Sequence, residues 1–252
     1  TDAGASVTLE SEPRLTPLFQ RSFPGFHCIA RSDPPAPEAV DAGLDAQTPA
    51  GSLGRWCRQE FSAFPERSGY LVADGERSYA LRARYRNGTD DVLIGISWCS
   101  INPEIGGRKS MPLFAWRRLL ERPGITVIDL QYGDTANERR DFEVETGIRV
   151  IHDDGVDPLA DLDAFAAQVA AMDLVISVSN TTVHMAGALG VPTWVMLSTA
   201  PLWRWFVGRE DSPWYGSVRL FRQQARNEWG SVLKDVEAEL TALIGGLGRQ
   251  RS

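Results

Sequence analysis

From Val92 onward, short apolar runs rich in β-branched residues alternate with runs of helical periodicity, and this alternation constrains the fold more than any other feature. It is typical of repeated strand–helix units on a parallel sheet. The sequence therefore predicts an α/β fold with a doubly wound, Rossmann-like parallel sheet. Strands are predicted at 92–98, 126–132, 149–154, 174–179, 192–198 and near 218–223, and helices from Pro112 and over 137–146, 160–172, 181–190 and 227–245.

The amino-terminal part has a different pattern. Eight of the fifteen prolines lie in the first 65 residues, and residues 33–52 have neither helical nor strand periodicity, which predicts loop. A strand is predicted at 5–10, entered without a preceding turn, so we expect the chain to be a piece of a longer one. The Asn-Gly pair in 86–91 predicts a boundary between an incomplete Rossmann-like domain, 1–88, and a carboxyl-terminal domain, 89–252.

Charge and hydropathy exclude several classes of partner. The net charge of −7 at pH 7 and the sequence pI of about 5.1 are opposite to the basic surface that nucleic acid requires. No apolar stretch approaches the roughly 18 residues of a membrane span, and the first residues do not resemble a signal peptide. We therefore expect a cytoplasmic protein whose three cysteines, Cys28, Cys57 and Cys99, are reduced thiols.

A glycine-rich, basic segment follows the first strand of the predicted sheet. It contains Gly106, Gly107, Arg108, Lys109 and Ser110 ahead of the helix predicted from Pro112. Glycines allow the backbone to approach a ligand, and a cation beside a hydroxyl suits a phosphate. The spacing is not that of a Walker loop. The residues are equally consistent with a phosphate site and with a solvated basic turn.

A second candidate lies in SVSNTTVHMAGALG, residues 177–190, where a buried strand runs directly into a helix. Asn180 is suited to cap that helix, and Thr181 and Thr182 add hydroxyl donors to the free N–H groups of its first turn. His184 lies one turn further along. These residues predict an anion site, and the alternative is that Asn180 and the threonines are simply good caps while His184 packs against the first strand.

The run DLVISVSNTTVHMAGALGVPTWVMLS and the following PLWRWFVGREDSPWYGSVRLFRQ resemble the carboxyl-terminal domain of GT-B glycosyltransferases. They are most similar to the heptosyltransferase-like bacterial group in which tetratricopeptide repeats precede the catalytic part. The resemblance covers about 89–245, and 5–25 and 45–55 are similar, more weakly, to the later part of that group's amino-terminal domain. It implies a GT-B-type fold whose amino-terminal domain is only partly present, without the repeats.

In that family the carboxyl-terminal domain binds a nucleotide-sugar donor, and the acceptor approaches from the amino-terminal domain. By this resemblance Lys109 contacts the donor diphosphate, and the Asn180, Thr181 and Thr182 turn contacts the phosphates. Gln131 and Glu138 fall in the region that meets the nucleoside, although either could equally be an ordinary loop residue. Heptosyltransferases usually have Asp where this chain has Asn180, which leaves the identity of the donor open.

The chemistry so implied needs no metal and no cofactor, because N–H donors, hydroxyls and Lys109 can stabilise the charge that develops on the leaving diphosphate. Asp153 and Asp154 resemble a carboxylate pair for a metal, but a structural turn is the better interpretation. The general base of the family has no matching position here. The cluster of Trp203, Trp205 and Trp214 around Arg204 is consistent with stacking against a sugar, but large aromatics most often pack a core or the seam between domains, and the seam is the favoured interpretation.

The resulting hypothesis is an inverting, metal-independent glycosyltransferase that moves a sugar from a nucleotide donor to a hydroxyl of a protein or glycan. Two alternatives stay open. One is a sugar-nucleotide epimerase, which needs acid and base residues on both sides of the cleft. The other is a non-catalytic module derived from a GT-B domain that binds a nucleotide or a partner without turnover.

Overall fold

A computed structural model of the chain describes residues 4–41 and 43–251. Its amino-terminal part contains one β-α-β unit, made of β1 (Thr8–Ser11), α1 (Thr16–Ser22) and β2 (His27–Ala30), with the two strands parallel. A long stretch with a few short turns and the one-turn helix α2 (Gly54–Cys57) follows. The predicted loop at 33–52 is thus confirmed for its described residues, 33–41 and 43–52, apart from short 3-10 turns, while residue 42 lies outside the described residues. The strand predicted at 5–10 begins three residues later.

The helix α3 (Gly75–Arg86) precedes the main sheet. Asp74 caps it through Oδ1, which accepts a hydrogen bond from Arg77 N, and Asn87 ends it in the left-handed conformation.

The main sheet contains β3 (Val92–Ser97), β4 (Ile125–Asp129), β5 (Val150–Ile151), β6 (Leu174–Val178), β7 (Thr193–Leu197), β8 (Asp211–Ser212) and β9 (Tyr215–Arg222). Its spatial order is β5-β4-β3-β6-β7-β9-β8, and only the β8–β9 pairing is antiparallel among the described strands. The six parallel strands follow the order 3-2-1-4-5-6 of dinucleotide-binding Rossmann sheets. The predicted α/β, doubly wound parallel sheet is confirmed.

Six helices accompany these strands: α4 (Gly106–Lys109), α5 (Arg117–Leu120), α6 (Ala136–Thr146), α7 (Leu162–Ala170), α8 (Thr181–Leu189) and α9 (Gly230–Arg251). Apolar side chains alternate between the two faces of the sheet. In β3, for example, Ile94 and Ile96 join one buried cluster and Leu93 joins the other. Helices on both faces therefore cover the sheet, as a parallel sheet requires.

Two predicted elements differ in detail. The helix predicted from Pro112 is a 3-10 turn over Leu113–Trp116 followed by the single turn α5, because Leu113 and Trp116 are drawn into the core. The strand predicted at 149–154 keeps two residues, since His152 and Asp153 turn away to bond with other side chains.

The predicted boundary after residue 88 stays a prediction, but α3, on its amino-terminal side, packs on the main sheet. Leu81 and Tyr85 share a buried cluster with Leu93, and Arg82 Nη1 donates to Ala171 O at 2.7 Å. Leu18 of α1 is fully buried in the same cluster. The β-α-β unit and α3 are therefore attached to the helix layer of the main sheet.

The segment 67–72 crosses the carboxyl-terminal end of α8. The amides of Tyr70 and Leu71 both donate to Ala188 O, at 2.7 and 2.8 Å. A Cβ on Gly69 would lie 2.5 Å from Gly190 N, so backbone passes directly over backbone here and only glycine fits.

Candidate functional site

A cavity of about 890 Å³ opens at the carboxyl ends of β3 and β6, on the side where segments of the amino-terminal part face the sheet. The strand order reverses between these two neighbours, because the strands that follow β3 and β6 in sequence lie on opposite sides. Such a switch point is where open α/β sheets bind ligands. Four of the predicted site residues, Lys109, Asn180, Thr181 and His184, line this cavity.

Asn180 joins the two strand ends. Its Oδ1 accepts from Thr182 N at 3.0 Å and so caps α8, while its Nδ2 donates to Ser97 Oγ at 2.6 Å and Cys99 O at 2.9 Å. Both the oxygen and the nitrogen of the amide are thus hydrogen-bonded within the protein, and the side chain is buried. Asn180 shapes the cavity wall and holds the first turn of α8 against the end of β3.

The two threonines of the turn have different surroundings. Thr181 is exposed and lines the cavity, at the first helical position, where backbone N–H groups lack an intrahelical acceptor. Thr182 is fully buried, and its hydroxyl donates to Leu130 O at 3.2 Å. The geometry therefore supports a ligand contact for Thr181, whereas the Thr182 side chain is held inside the protein.

Gln131 and Glu138 organise the loop after β3 instead of lining the cavity. Gln131 Oε1 accepts from Ser97 Oγ, Trp98 N and Cys99 N at 2.9–3.0 Å. Glu138 accepts from Trp98 Nε1 and Leu113 N, both at 2.8 Å. Both side chains are thus hydrogen-bonded within the protein and lie outside the cavity lining, and their contact with a nucleoside stays a prediction.

The glycine-rich segment differs from the predicted open loop. Residues 106–109 form α4, so Lys109 and Ser110 lie at the end of a short helix and not at the start of one. A Cβ on Gly106 would lie 2.2 Å from Ser100 O, whereas one on Gly107 would meet nothing within 4 Å. Ser110 Oγ accepts from Ser100 N at 2.9 Å. Gly106 and Ser110 thus close the loop, and of the five residues only Lys109 lines the cavity.

Lys109 and Arg204 are the cations of the cavity that no carboxylate pairs with among the described residues. Burial lowers the pKa of Lys109, and the charge of Arg204 adds to that effect. The lining has one carboxylate in the described part of the chain, Glu12, which forms an ion pair with Arg14 at 2.7 Å. The charges that remain unbalanced are positive, and they favour an anionic ligand.

His184 lies beside these cations and has partners at both ring nitrogens. Nδ1 is 3.0 Å from Tyr215 Oη, and Nε2 is 3.3 Å from Arg204 Nη1. Burial, with the charges of Arg204 and Lys109, lowers the pKa of His184 to about 4, so the ring is neutral at pH 7. Both ring nitrogens of His184 therefore have partners within the protein, and its predicted contact with a ligand stays a prediction.

Sequence analysis missed Arg204 as a site residue and gave the tryptophans around it a packing role. The packing is observed: Trp205 is buried, and Trp214 packs edge-on against Phe64 of the amino-terminal part with ring centroids 4.8 Å apart. Trp203 is instead 69% exposed. An arginine between two tryptophans, shortly after a predicted strand end, was the signal that could have placed Arg204 in the crevice.

Asp153, of the Asp153 and Asp154 pair, is hydrogen-bonded within the protein. Asp153 is buried, accepts from Tyr85 Oη at 2.5 Å and bonds with Arg84, while its Oδ1 accepts from Gly155 N in a turn. The interpretation as a structural turn is confirmed for Asp153. Throughout the part of the chain that the structure describes, no three His, Cys, Asp or Glu side chains cluster closely enough to hold a metal ion.

The fold is that of GT-B glycosyltransferases. The structure of E. coli ADP-heptose LPS heptosyltransferase II superposes with a TM-score of 0.64 over 97% of this chain and 91% of that chain, at 12% sequence identity. A family 9 glycosyltransferase from Veillonella parvula DSM 2008 overlaps 67% of this chain and 47% of that chain, with 18% identity and a TM-score of 0.49. No family model matches the sequence.

Among curated proteins, the chain is similar to Protein FlbA of Caulobacter vibrioides, with 33% identity over 246 residues. The match includes 93% of this chain and 41% of FlbA, so the chain spans about two fifths of the length of that relative. The name FlbA states no activity. Within residues 4–41 and 43–251, no helix is both long and apolar enough to cross a bilayer.

Proposed function

We propose that the chain is the donor-binding part of a glycosyltransferase, which transfers a sugar from a nucleotide-sugar to a hydroxyl of a protein or glycan. The reaction uses no metal or other cofactor, and it inverts the anomeric carbon by analogy to the family that the chain resembles. The protein acceptor and the association with tetratricopeptide repeats rest on that resemblance. The proposal also includes cytoplasmic location. It further includes the lack of a nucleic-acid partner, which the net charge of −7 supports.

One observation carries the proposal: two cations without a carboxylate partner in the described chain, Lys109 and Arg204, face a cavity at the switch point of a GT-B sheet, next to the first turn of α8. The positive end of the helix dipole and the Thr181 hydroxyl add to the same field. A diphosphate bears negative charge along its length, so several such groups can share it.

The reaction breaks the bond between the anomeric carbon and the phosphate oxygen and forms one from that carbon to the acceptor oxygen. The leaving diphosphate gains the bonding electron pair, and Lys109, Arg204 and the α8 N–H groups would stabilise that charge as it develops. The acceptor hydroxyl gives up its proton to a general base. No residue of this chain is proposed as that base.

Lysine chemistry offers a sharp test, because Lys109 and Lys234 are the two lysines of the sequence. Lys234 lies exposed on α9, away from the cavity, and is a matched control. The chain would be treated with an amine-acylating reagent at several concentrations of inorganic pyrophosphate or of each common nucleoside diphosphate, and modification read by mass spectrometry. We expect a ligand to protect Lys109 and leave Lys234 unchanged.

Calorimetric titration with the same panel measures affinity directly and identifies the nucleobase of the preferred ligand. Lys109→Ala should weaken binding by about 1–3 kcal/mol, the usual scale for a charged hydrogen bond, whereas Lys234→Ala should have no effect. A chain that binds none of these compounds and shows no protection would contradict the proposal.

A non-catalytic binding module remains the second candidate, because the one carboxylate lining the cavity in the described chain, Glu12, is held by Arg14. The two candidates are distinguished by measuring sugar release from the nucleotide-sugar that binds most tightly. Turnover supports the transferase, and tight binding without turnover in the presence of acceptor proteins supports the module.

A further inference from the structure

Arg204 fixes the tautomer of His184. A guanidinium has only N–H donors, so the nitrogen that faces it, His184 Nε2 at 3.3 Å from Arg204 Nη1, must be the acceptor. In a neutral ring the proton then lies on Nδ1, which donates to Tyr215 Oη at 3.0 Å. Burial, followed by the effects of Tyr70, raises the pKa of Tyr215, so its hydroxyl stays protonated.

The imidazole is also held by stacking. It lies parallel to the Trp205 ring, with centroids 5.3 Å apart and an angle of 11° between the planes. Trp205 is itself fixed, since its Nε1 donates to Ser179 Oγ at 2.8 Å. His184 is therefore a rigid acceptor that presents Nε2 at one place on the cavity wall.

Arg204 lies in the 3-10 turn Trp203–Trp205 after β7, and it is half-buried at the cavity. No carboxylate among the described residues pairs with it, and the charge of Arg204 lowers the pKa of Lys109. Two cations that repel each other are unfavourable at close range, and a bound anion lowers that repulsion. Arg204 is thus poised for a ligand and is not part of an internal ion pair.

We infer that Arg204 is a second ligand-binding residue, which contacts the phosphates of the donor together with Lys109, and that His184 is a positioning residue that holds the guanidinium through Nε2. This rests on the proposed function, since it concerns the same cavity. It gives the arginine between Trp203 and Trp205 a role in binding, and it gives the contact of the neutral His184 ring with Arg204 a purpose.

Binding of inorganic pyrophosphate, and of the nucleotide that the panel selects, would be measured by calorimetry on the 252-residue chain and its variants. Arg204→Ala should weaken binding by roughly tenfold to a hundredfold, the range for a hydrogen bond to a charged group, and Arg204→Lys should recover part of that loss. Arg226→Ala is the control for net charge, because Arg226 is exposed in the loop before α9 and outside the cavity lining.

Two variants of His184 separate positioning from packing. His184→Phe keeps a ring to stack on Trp205 but offers no acceptor, and we expect affinity to fall severalfold. His184→Gln loses the ring but keeps an oxygen that can accept from Arg204, and we expect it to bind more tightly than His184→Phe. Melting temperatures of all variants identify any that fail to fold, and Arg204→Gln provides a second variant that removes the charge.

Nitrogen NMR of the imidazoles tests the arrangement without any ligand. The chain has three histidines, His27, His152 and His184, so single variants assign the signals. At pH 7 His184 should show a protonated Nδ1 and an unprotonated Nε2. The opposite tautomer, or a charged ring, would overturn the positioning role.

Binding that is intact in Arg204→Ala would overturn the inference while leaving the proposed function standing. Binding absent from the wild type would instead contradict the proposed function itself. The positioning role would also be overturned if both His184→Phe and His184→Gln bound pyrophosphate with the affinity of the wild type.

Discussion

The imidazole of His152 hydrogen-bonds through Nδ1 to Oδ2 of the buried Asp129 at 2.9 Å, just beyond the ends of β5 and β4. Arg139 Nε lies 3.0 Å from the same oxygen, and Thr135 Oγ1 donates to it at 2.9 Å. The carboxylate of Asp129 is thus neutralised and fully bonded by groups from α6 and the residue after β5. This network fixes the edge of the sheet next to the loop that Gln131 organises.

Stability should depend on the charge of His152. The hydrogen bond to Asp129 raises the pKa of His152 against the opposing effect of burial. A raised folded-state pKa gives stabilisation that is fully present below the unfolded value, near 6.5, and is lost as the pH rises through the folded value. We expect His152→Gln to lower stability by about 1–2 kcal/mol at pH 5.5 and by less at pH 9. Urea unfolding at both pH values measures this, and an equal loss at both would contradict it.

Gly106 and Gly107 offer a matched pair. Gly106→Ala forces a methyl group to within 2.2 Å of Ser100 O, so the loop after β3 must open, at a cost of about 1–3 kcal/mol. Gly107→Ala meets nothing within 4 Å, and we expect no destabilisation. Because Lys109 follows in the same short helix, pyrophosphate affinity should also fall for Gly106→Ala. Equal melting temperatures for the two variants would refute the close contact.

Thr181 and Thr182 should separate binding from folding. Thr182→Val leaves the buried Leu130 carbonyl without its donor, so we expect a loss of about 1–3 kcal/mol in stability. Thr181→Val removes an exposed hydroxyl at the cavity and should weaken pyrophosphate binding with little change in melting temperature. Calorimetry and thermal unfolding on the two variants check both statements, and the reverse assignment of effects would disprove this division of roles.

Asn180→Asp tests what the amide at this position contributes. Nδ2 donates to Cys99 O at 2.9 Å, and a carboxylate oxygen there would face a carbonyl oxygen instead. It would also add negative charge beside the cavity. We expect lower stability, by about 1–3 kcal/mol, and weaker pyrophosphate binding. A variant as stable as the wild type would mean that the contact to Cys99 is dispensable.

The fold could be predicted because buried parallel strands leave a strong local signal. Val92–Ser97 and Leu174–Val178 are continuous apolar runs bounded by polar residues, and their positions follow from the sequence to within a residue or two. The Asn180 cap and the Gly190 stop of α8 are equally local, since each depends on the backbone geometry of one turn. The short helix α4 was not predicted, and the helix predicted from Pro112 is reduced to a 3-10 turn and α5, because the form of both segments depends on contacts with Ser100 and the core.

The site could be predicted only in part, because long-range hydrogen bonds decide which polar groups stay free. Gln131 lies just after β4 and Glu138 in the first turn of α6, but the loop after β3 takes up their oxygens. Arg204 was hidden by its neighbours, since a tryptophan on each side is the usual mark of packing. Its role depends on His184, which lies twenty residues earlier in the chain.

The hydrogen bonds that the amides of Tyr70 and Leu71 donate to Ala188 O hold the segment 67–72 at the carboxyl-terminal end of α8. The nine residues of α8 carry the Asn180 turn at one end and this crossing at the other, about 13 Å apart at 1.5 Å per residue. The length of α8 therefore fixes the separation between the Asn180 turn, on the sheet side of the opening, and Tyr70 on the facing side. The backbone contact of Gly69 with Gly190 leaves no room for the segment 67–72 to move closer to this end of the helix.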